Sequence, residues 1–115
     1  MRGLLLILPL LLLAVWPAAA EQFVAGTEDL PLMPGLKPVP NSNIVFDKPE
    51  GRIVEARAAG ATTRAKVEEF YAASLPALGW QSTGRDQWQR DSERLKLDFT
   101  DASGRLAVGF TLSPQ

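Results

Sequence analysis

This chain of 115 residues lacks the side chains that perform most catalytic chemistry. It contains no histidine and no cysteine, so the commonest general base, the commonest metal ligand and the thiolate nucleophile are all absent. A serine nucleophile activated by lysine would need a motif such as Ser-x-x-Lys, and phosphate binding would need a glycine-rich loop. Neither motif occurs in the sequence. We therefore predict a protein that is not an enzyme and that holds no cofactor and no metal.

Carboxylates are the remaining candidates for chemistry. Glu68 and Glu69 are adjacent in a predicted helix, and Asp98 and Asp101 lie on or beside a predicted strand. A glycosidase needs two carboxylates that converge in a cleft, and a calcium loop needs its ligands at fixed spacings. No motif in this chain imposes either arrangement. Because carboxylates in a small domain are usually solvated, we interpret these four as surface residues.

Residues 1–20 have the three parts of a secretory signal peptide. A short segment, Met1 to Gly3, carries one basic residue, Arg2, and an apolar run that only Pro9 interrupts follows over residues 4–15. Ala18 and Ala20 occupy the small-residue positions of an A-x-A site, which predicts cleavage after Ala20. The alternative is a membrane anchor, but a spanning helix needs about 20 apolar residues and this run is shorter. We expect a periplasmic or secreted protein with no stable membrane anchor after cleavage.

The composition of the remaining chain limits the classes of protein to which it can belong. Removal of 20 residues from 115 leaves 95, enough for one domain. Removal of Arg2 from the 12 basic residues leaves 11 against 13 acidic ones, a balance that gives no basic face for nucleic acid. The absence of cysteine excludes a lipid anchor and disulfide staples, and it favours a bacterial envelope over a eukaryotic secretory route.

A proline-rich arm is predicted over residues 21–42. Its apolar side chains alternate with four prolines, which fix φ and remove backbone donors, so the segment is expected to be extended. Two interpretations of the arm stay open. It packs along its own sheet and completes the core, which we favour, or it docks a partner protein. The candidate partner-binding residues of the arm are Leu30, Leu32, Met33 and Leu36.

A single α+β domain is predicted over residues 43–115. Two β-forming runs, 44–46 and 52–58, flank a turn and predict a hairpin. A helix is predicted over residues 63–78, because apolar residues recur there on one stripe. Four short strands follow, and the last two alternate cleanly between apolar and polar residues. The pattern predicts the order ββ-α-ββββ, an antiparallel sheet with one amphipathic helix packed on one face. The helix stripe consists of Val67, Phe70, Tyr71, Leu75 and Leu78, and the four strands are predicted at residues 80–83, 87–91, 94–100 and 105–112.

The helix-to-strand junction carries a resemblance. The run from Phe70 to Trp80, FYAASLPALGW, resembles the same junction in small exported proteobacterial α+β proteins of unassigned function. It is also loosely similar to the helix-on-sheet domains of a lipoprotein of the outer-membrane β-barrel assembly machinery. The chain lacks the lipid-attachment cysteine of that lipoprotein. The resemblance implies a scaffold or interaction role.

These observations lead to two functional expectations. The first is an exported, non-enzymatic domain that binds or scaffolds another protein of the cell envelope, through the arm or through the uncovered sheet face. The alternative is a carrier of small hydrophobic ligands, with an apolar groove between the helix end near Pro76 and the strands that contain Trp80 and Trp88. Trp88 is a further candidate for partner binding if it faces the open side of the sheet.

Overall fold

The structure is a computed structural model that describes residues 22–115. They form one antiparallel sheet of seven strands in the order β1-β3-β7-β6-β5-β4, with β2 also paired to β3. This architecture confirms the prediction of an α+β fold with an antiparallel sheet and one helix. The elements are β1 (Lys37–Pro38), β2 (Ile44–Lys48), β3 (Gly51–Gly60), α1 (Arg64–Ser74), a 3-10 turn (Pro76–Leu78), β4 (Gln81–Gly84), β5 (Gln87–Arg90), β6 (Glu93–Ala102) and β7 (Arg105–Pro114).

The long strands β6 and β7 form the centre of the sheet. They pair over ten residues from Glu93↔Pro114 to Ala102↔Arg105. The turn between them places Ser103 and Gly104 at φ values of 52° and 76°, the pair of left-handed conformations that a two-residue hairpin turn requires. The outer side of β7 pairs with β3. Alternation along these strands directs one apolar row from each of them into the same core.

The helix is shorter than the sequence pattern predicts. Thr63 caps its N-terminus, since its side-chain oxygen accepts a hydrogen bond of 3.2 Å from the Lys66 amide. The α-helix ends at Ser74, and Pro76 begins a 3-10 turn that closes at Gly79 with φ 92°. Because proline has no amide hydrogen, the α-helical ladder cannot continue through it. The 3-10 turn takes Leu78 off the helical stripe, and its side chain is exposed.

One hydrophobic core joins the sheet, the helix and the arm. The helix contributes Val67, Tyr71 and Leu75, each at most 1% exposed. Tyr71 meets Phe110 of β7 edge to face, with ring centroids 5.6 Å apart. The strands and the junction after the helix contribute Ala56, Ala58, Trp80, Trp88, Leu95, Leu97, Leu106, Val108 and Phe110.

The arm belongs to this core. Near its start, the Val24 amide donates to the Leu30 carbonyl and the Leu32 amide donates to the Gln22 carbonyl, both at 2.8 Å. The segment therefore folds back on itself as a narrow turn before it runs along the sheet. Its buried side chains are Val24, Leu30, Leu32 and Leu36. The arm thus contributes to the interior of the domain, as the favoured interpretation of its sequence predicts.

The arm then continues along the edge of β3. Lys37 and Pro38 pair with Ala59 and Ala58, and the Val39 amide donates to the Arg57 carbonyl at 2.9 Å. After a turn, β2 pairs with the first half of β3. Two successive segments of one chain therefore satisfy the backbone groups along this edge of β3.

A glycine makes the close approach of the arm possible. A Cβ atom on Gly60, the last residue of β3, would collide with the carbonyl oxygen of Gly35. Gly35 itself has a φ of 97°, a conformation that side chains disfavour. The two glycines let the arm cross the end of β3 at backbone contact.

Candidate functional site

Tyr71 fixes the arm to the helix. Its hydroxyl donates a hydrogen bond of 2.8 Å to the Pro31 carbonyl and accepts one of 3.3 Å from the Met33 amide. Burial raises the pKa of the Tyr71 hydroxyl above its ordinary value. The phenol therefore stays neutral and serves as both donor and acceptor, so that residues 31–33 are held at a defined distance from the helix.

A groove of about 780 Å³ lies beside this contact. The arm lines it over residues 31–38, and Phe70 and Gln22 complete it. Leu32 and Leu36 point into the core, whereas Pro34 and Pro38 are exposed at the surface. The groove therefore depends on the tertiary packing of the arm against the helix.

The chemistry of the groove is mainly apolar. Its lining combines proline rings, leucine, methionine and an aromatic ring, and Lys37 is the one charged residue among the lining side chains. Proline has no amide hydrogen to offer a ligand. Recognition in this groove would consequently rest on apolar contact with few polar groups, the usual composition of a ligand pocket.

The structure separates the five residues predicted to bind a partner. Leu30, Leu32, Leu36 and Trp88 are buried in the core of their own domain, at 2%, 6%, 3% and 9% exposure. Met33 is only partly buried, packs against the core and lines the groove. Of the five, Met33 is therefore the side chain that a partner can reach without rearrangement of the domain. The favoured interpretation of the arm, as a segment that packs on its own sheet, agrees with this placement.

The groove expected near Trp80 and Trp88 is not apolar in the structure. Both indoles are buried, and the Arg90 guanidinium covers the Trp80 ring at 4.4 Å. Arg90 also donates to the Asp29 carboxylate at 2.7 Å and 3.3 Å. A concavity of about 290 Å³ beside Trp80 has a mixed lining of charged and apolar residues of the arm and strands. The apolar groove lies instead at the arm and Phe70, because the arm fills the space that the sequence leaves undefined.

Glu68, one of the four candidate carboxylates, and Asp86 form ion pairs between the helix and the turn after β4. The Glu68 carboxylate accepts from the Arg85 guanidinium at 3.0 Å and 3.3 Å, and Arg64 donates to Asp86 at 2.8 Å. Hydrogen bonding to Arg85 lowers the pKa of Glu68 from 4.5 to about 2, whereas burial raises the pKa of Asp86. Neither carboxylate lines the groove at the arm, the concavity beside Trp80 or the concavity beside β2.

The other three candidate carboxylates lie at the surface, as expected for solvated residues. Glu69, Asp98 and Asp101 are exposed. Within residues 22–115, no cluster of three or more acidic side chains has the geometry to hold a metal ion. No helix in the same range is long and apolar enough to span a membrane.

Strand β2 forms a second surface that sequence reasoning missed. Ile44, Val45 and Phe46 are 44%, 37% and 48% exposed. Ile44 and Phe46 lie opposite Glu55 and Ile53 of β3, on the face of the sheet away from the core. The run predicts a strand of a hairpin from its β-forming residues, but an uninterrupted apolar run is typical of a strand buried on both faces, so the sequence gives no signal of this exposure. Comparison with family models, with curated proteins and with solved structures found no match.

Proposed function

We propose that this protein is an exported, non-enzymatic binding module that takes an apolar segment of another envelope protein into the groove beside Phe70. The observation that supports this proposal is the groove of about 780 Å³, lined by Met33, Phe70 and the arm prolines. A contiguous exposed apolar surface of this kind is typical of a site for a ligand or a protein partner. The module requires no catalytic side chain, in agreement with the lack of histidine and cysteine.

The groove suits an extended apolar segment better than a charged one. Lys37 is the one charge among its lining residues, so a charged ligand would lose hydration with little compensation. Apolar side chains would instead pack against proline rings whose conformation is already fixed. Affinity would therefore come mainly from the burial of apolar area, less the entropy lost on association.

Export is a separate part of the proposal. Residues 1–20, with the cleavage positions Ala18 and Ala20, lie outside the described residues. Their sequence predicts removal by a signal peptidase, which would release a periplasmic or secreted protein. Intact mass measurement of the protein recovered from envelope and cytoplasmic fractions tests this part. A mass that begins at Glu21 in the envelope supports export, and a full-length mass in the cytoplasm contradicts it.

Site-specific cross-linking tests the binding surface. A photo-reactive amino acid placed at Lys37, which is exposed and lines the groove, should capture one dominant envelope protein in cells. The same amino acid placed at Thr83, which is exposed on β4, is the control and should capture none of that product. Identical products from both positions would contradict the assignment of the groove.

A carrier of small hydrophobic ligands is the second candidate. The volume of the groove favours it, because sites for small molecules usually measure about 300–1,000 Å³. A fluorescent apolar probe should bind to the protein, and Met33→Glu should weaken binding by about tenfold, or about 1.4 kcal/mol. Leu78→Glu is the matched control, since Leu78 is exposed and does not line the groove. Equal loss from both variants would argue against a ligand in this groove.

A further inference from the structure

Strand β2 has one free side. It pairs with β3 in the register Ile44↔Glu55 to Lys48↔Gly51, and within residues 22–115 no strand pairs with its outer side. All five of its residues are exposed. The amides and carbonyls on the outer side of such a strand are a template for another strand.

The usual protection of an edge is missing at the centre of β2. Proteins protect edges with proline, bulges, inward charges or short strands. β2 has none of these between Ile44 and Phe46, and its charged residues, Asp47 and Lys48, stand only at the end next to the turn. Three exposed apolar side chains in sequence therefore surround an unpaired backbone.

We propose that β2 pairs with β2 of a second copy of this chain, antiparallel about a two-fold axis at Val45. Such pairing would join the two seven-stranded sheets into one continuous sheet. It goes beyond the proposed function, because neither the groove nor its ligand takes part. An isologous contact of this kind closes on itself as a dimer.

The strand is complementary to itself in this register. Val45 stands opposite Val45 of the second copy, and Ile44 stands opposite Phe46, which gives two aromatic–β-branched pairs worth roughly 0.2–1 kcal/mol each. Asp47 stands opposite the neutral Asn43, so no like charges meet. A shift by one residue of one strand would place Val45 against Ile44 and Phe46 against Asn43, and it would oppose residues whose side chains point to opposite faces of the sheet.

The opposite edge of the sheet is a poor partner for β2. β4 consists of Gln81, Ser82, Thr83 and Gly84, and its register with β5 shifts between Ser82 and Gly84. Pairing of β2 with β4 would leave the apolar triplet against polar residues. It would also be heterologous and generate open chains of molecules. The second copy of β2 is therefore the occupant that fits.

Cysteine cross-linking tests the pairing and its register, because the chain contains no cysteine of its own. Directly opposed residues of antiparallel strands have Cα atoms about 4.5–5.5 Å apart, within the range of a disulfide. In protein purified after expression of the full chain, Val45→Cys should form a disulfide dimer under mild oxidation. Asp47→Cys should not, since its two copies would lie about 13 Å apart, four residues along the strand.

Thr83→Cys on β4 is the matched control for random collision. We expect Val45→Cys to dimerise at least tenfold faster than both other variants. Sedimentation of the wild-type protein should show a weight-average mass that rises with concentration, and Phe46→Lys should abolish the rise. Equal oxidation rates at positions 45 and 83, faster oxidation at position 47, or a wild-type mass that stays monomeric at millimolar concentration would each overturn the proposal. So would recovery of the Val45→Cys disulfide only with a different envelope protein.

Discussion

The two edges of the sheet are built by different physical means. At one edge, the arm and β2 satisfy the backbone of β3, and the arm sends Leu30, Leu32 and Leu36 into the core. At the other edge, β4 is short, polar and exposed, and its turn residues Arg85 and Asp86 hold the helix through ion pairs. The first edge depends on buried apolar area and the second on surface charge.

This difference predicts which edge of the sheet contributes more to the stability of the domain. Burial of a leucine contributes about 1.5–3 kcal/mol, whereas an exposed ion pair contributes about 0–1 kcal/mol and is screened by salt. The proline-rich arm should therefore contribute more to stability than the ion pairs at the surface. The arm edge is also the one that leaves apolar surface free, at the groove and at β2.

The largest effect is expected from Leu30→Ala in the arm. Leu30 is 2% exposed within the core, and truncation of a buried leucine costs about 2–5 kcal/mol in transfer energy and cavity. Urea denaturation of the purified protein measures this loss. Thr83→Ala on β4 is the control and should change the free energy of unfolding by less than about 0.5 kcal/mol. Equal losses of unfolding free energy in the two variants would show that the two edges contribute equally to stability.

A smaller effect is expected from Gly60→Ala at the end of β3. The added methyl group collides with the Gly35 carbonyl, and overpacking of this kind costs about 1–3 kcal/mol. The arm should separate from the sheet near Gly35 before the rest of the domain unfolds. Limited proteolysis near Lys37 measures this opening. A cleavage rate equal to that of the wild type would show that the arm does not pass over the end of β3 at Gly60.

Tyr71→Phe sharpens the comparison by removing only hydrogen bonds. The hydroxyl contacts Pro31 and Met33 of the arm, and each hydrogen bond of this type contributes about 0.5–1.5 kcal/mol. We expect a loss of about 1–2 kcal/mol in urea denaturation and weaker probe binding in the groove. A loss of stability without any change in binding would show that Tyr71 does not shape the groove.

The smallest effect is expected at the β4 edge, in the dependence of stability on pH. The pKa of Glu68 falls from 4.5 to about 2 in the folded protein, mainly because its carboxylate accepts from Arg85. The stabilisation by charged Glu68 is present above pH 4.5 and is lost as the pH falls toward 2. The contribution of Asp86 to stability depends on pH in the opposite way. Burial raises the pKa of Asp86, so its charged form opposes folding.

Glu68→Gln should therefore flatten the fall of stability between pH 4.5 and 2, and added salt should reduce the difference between variant and wild type. Denaturation at several pH values measures both effects. An unchanged slope in Glu68→Gln would mean that another carboxylate controls the acid transition.

The sequence predicts those features that depend on local periodicity and turn chemistry. The strands after the helix all lie within two residues of their predicted bounds, and the largest differences are the C-terminal ends of β6 and β7, which extend two residues further. Pro76 shortens the predicted helix, because a 3-10 turn replaces its last turn. Strand order, the groove and the free edge of β2 depend on which segments meet in space, and no alternation of residues encodes this. The close pass of Gly35 over Gly60 is an example, since neither glycine is distinctive in the sequence.

Amide hydrogen exchange gives the most direct test of the claim that the arm is part of the folded core. The amides of Val24, Leu32 and Val39 donate to carbonyls at 2.8–2.9 Å. They should therefore exchange by opening of the domain, with protection close to that of β3 and β7. Exchange of these three amides at the rate of an unstructured peptide, in a domain whose central strands remain protected, would contradict the account.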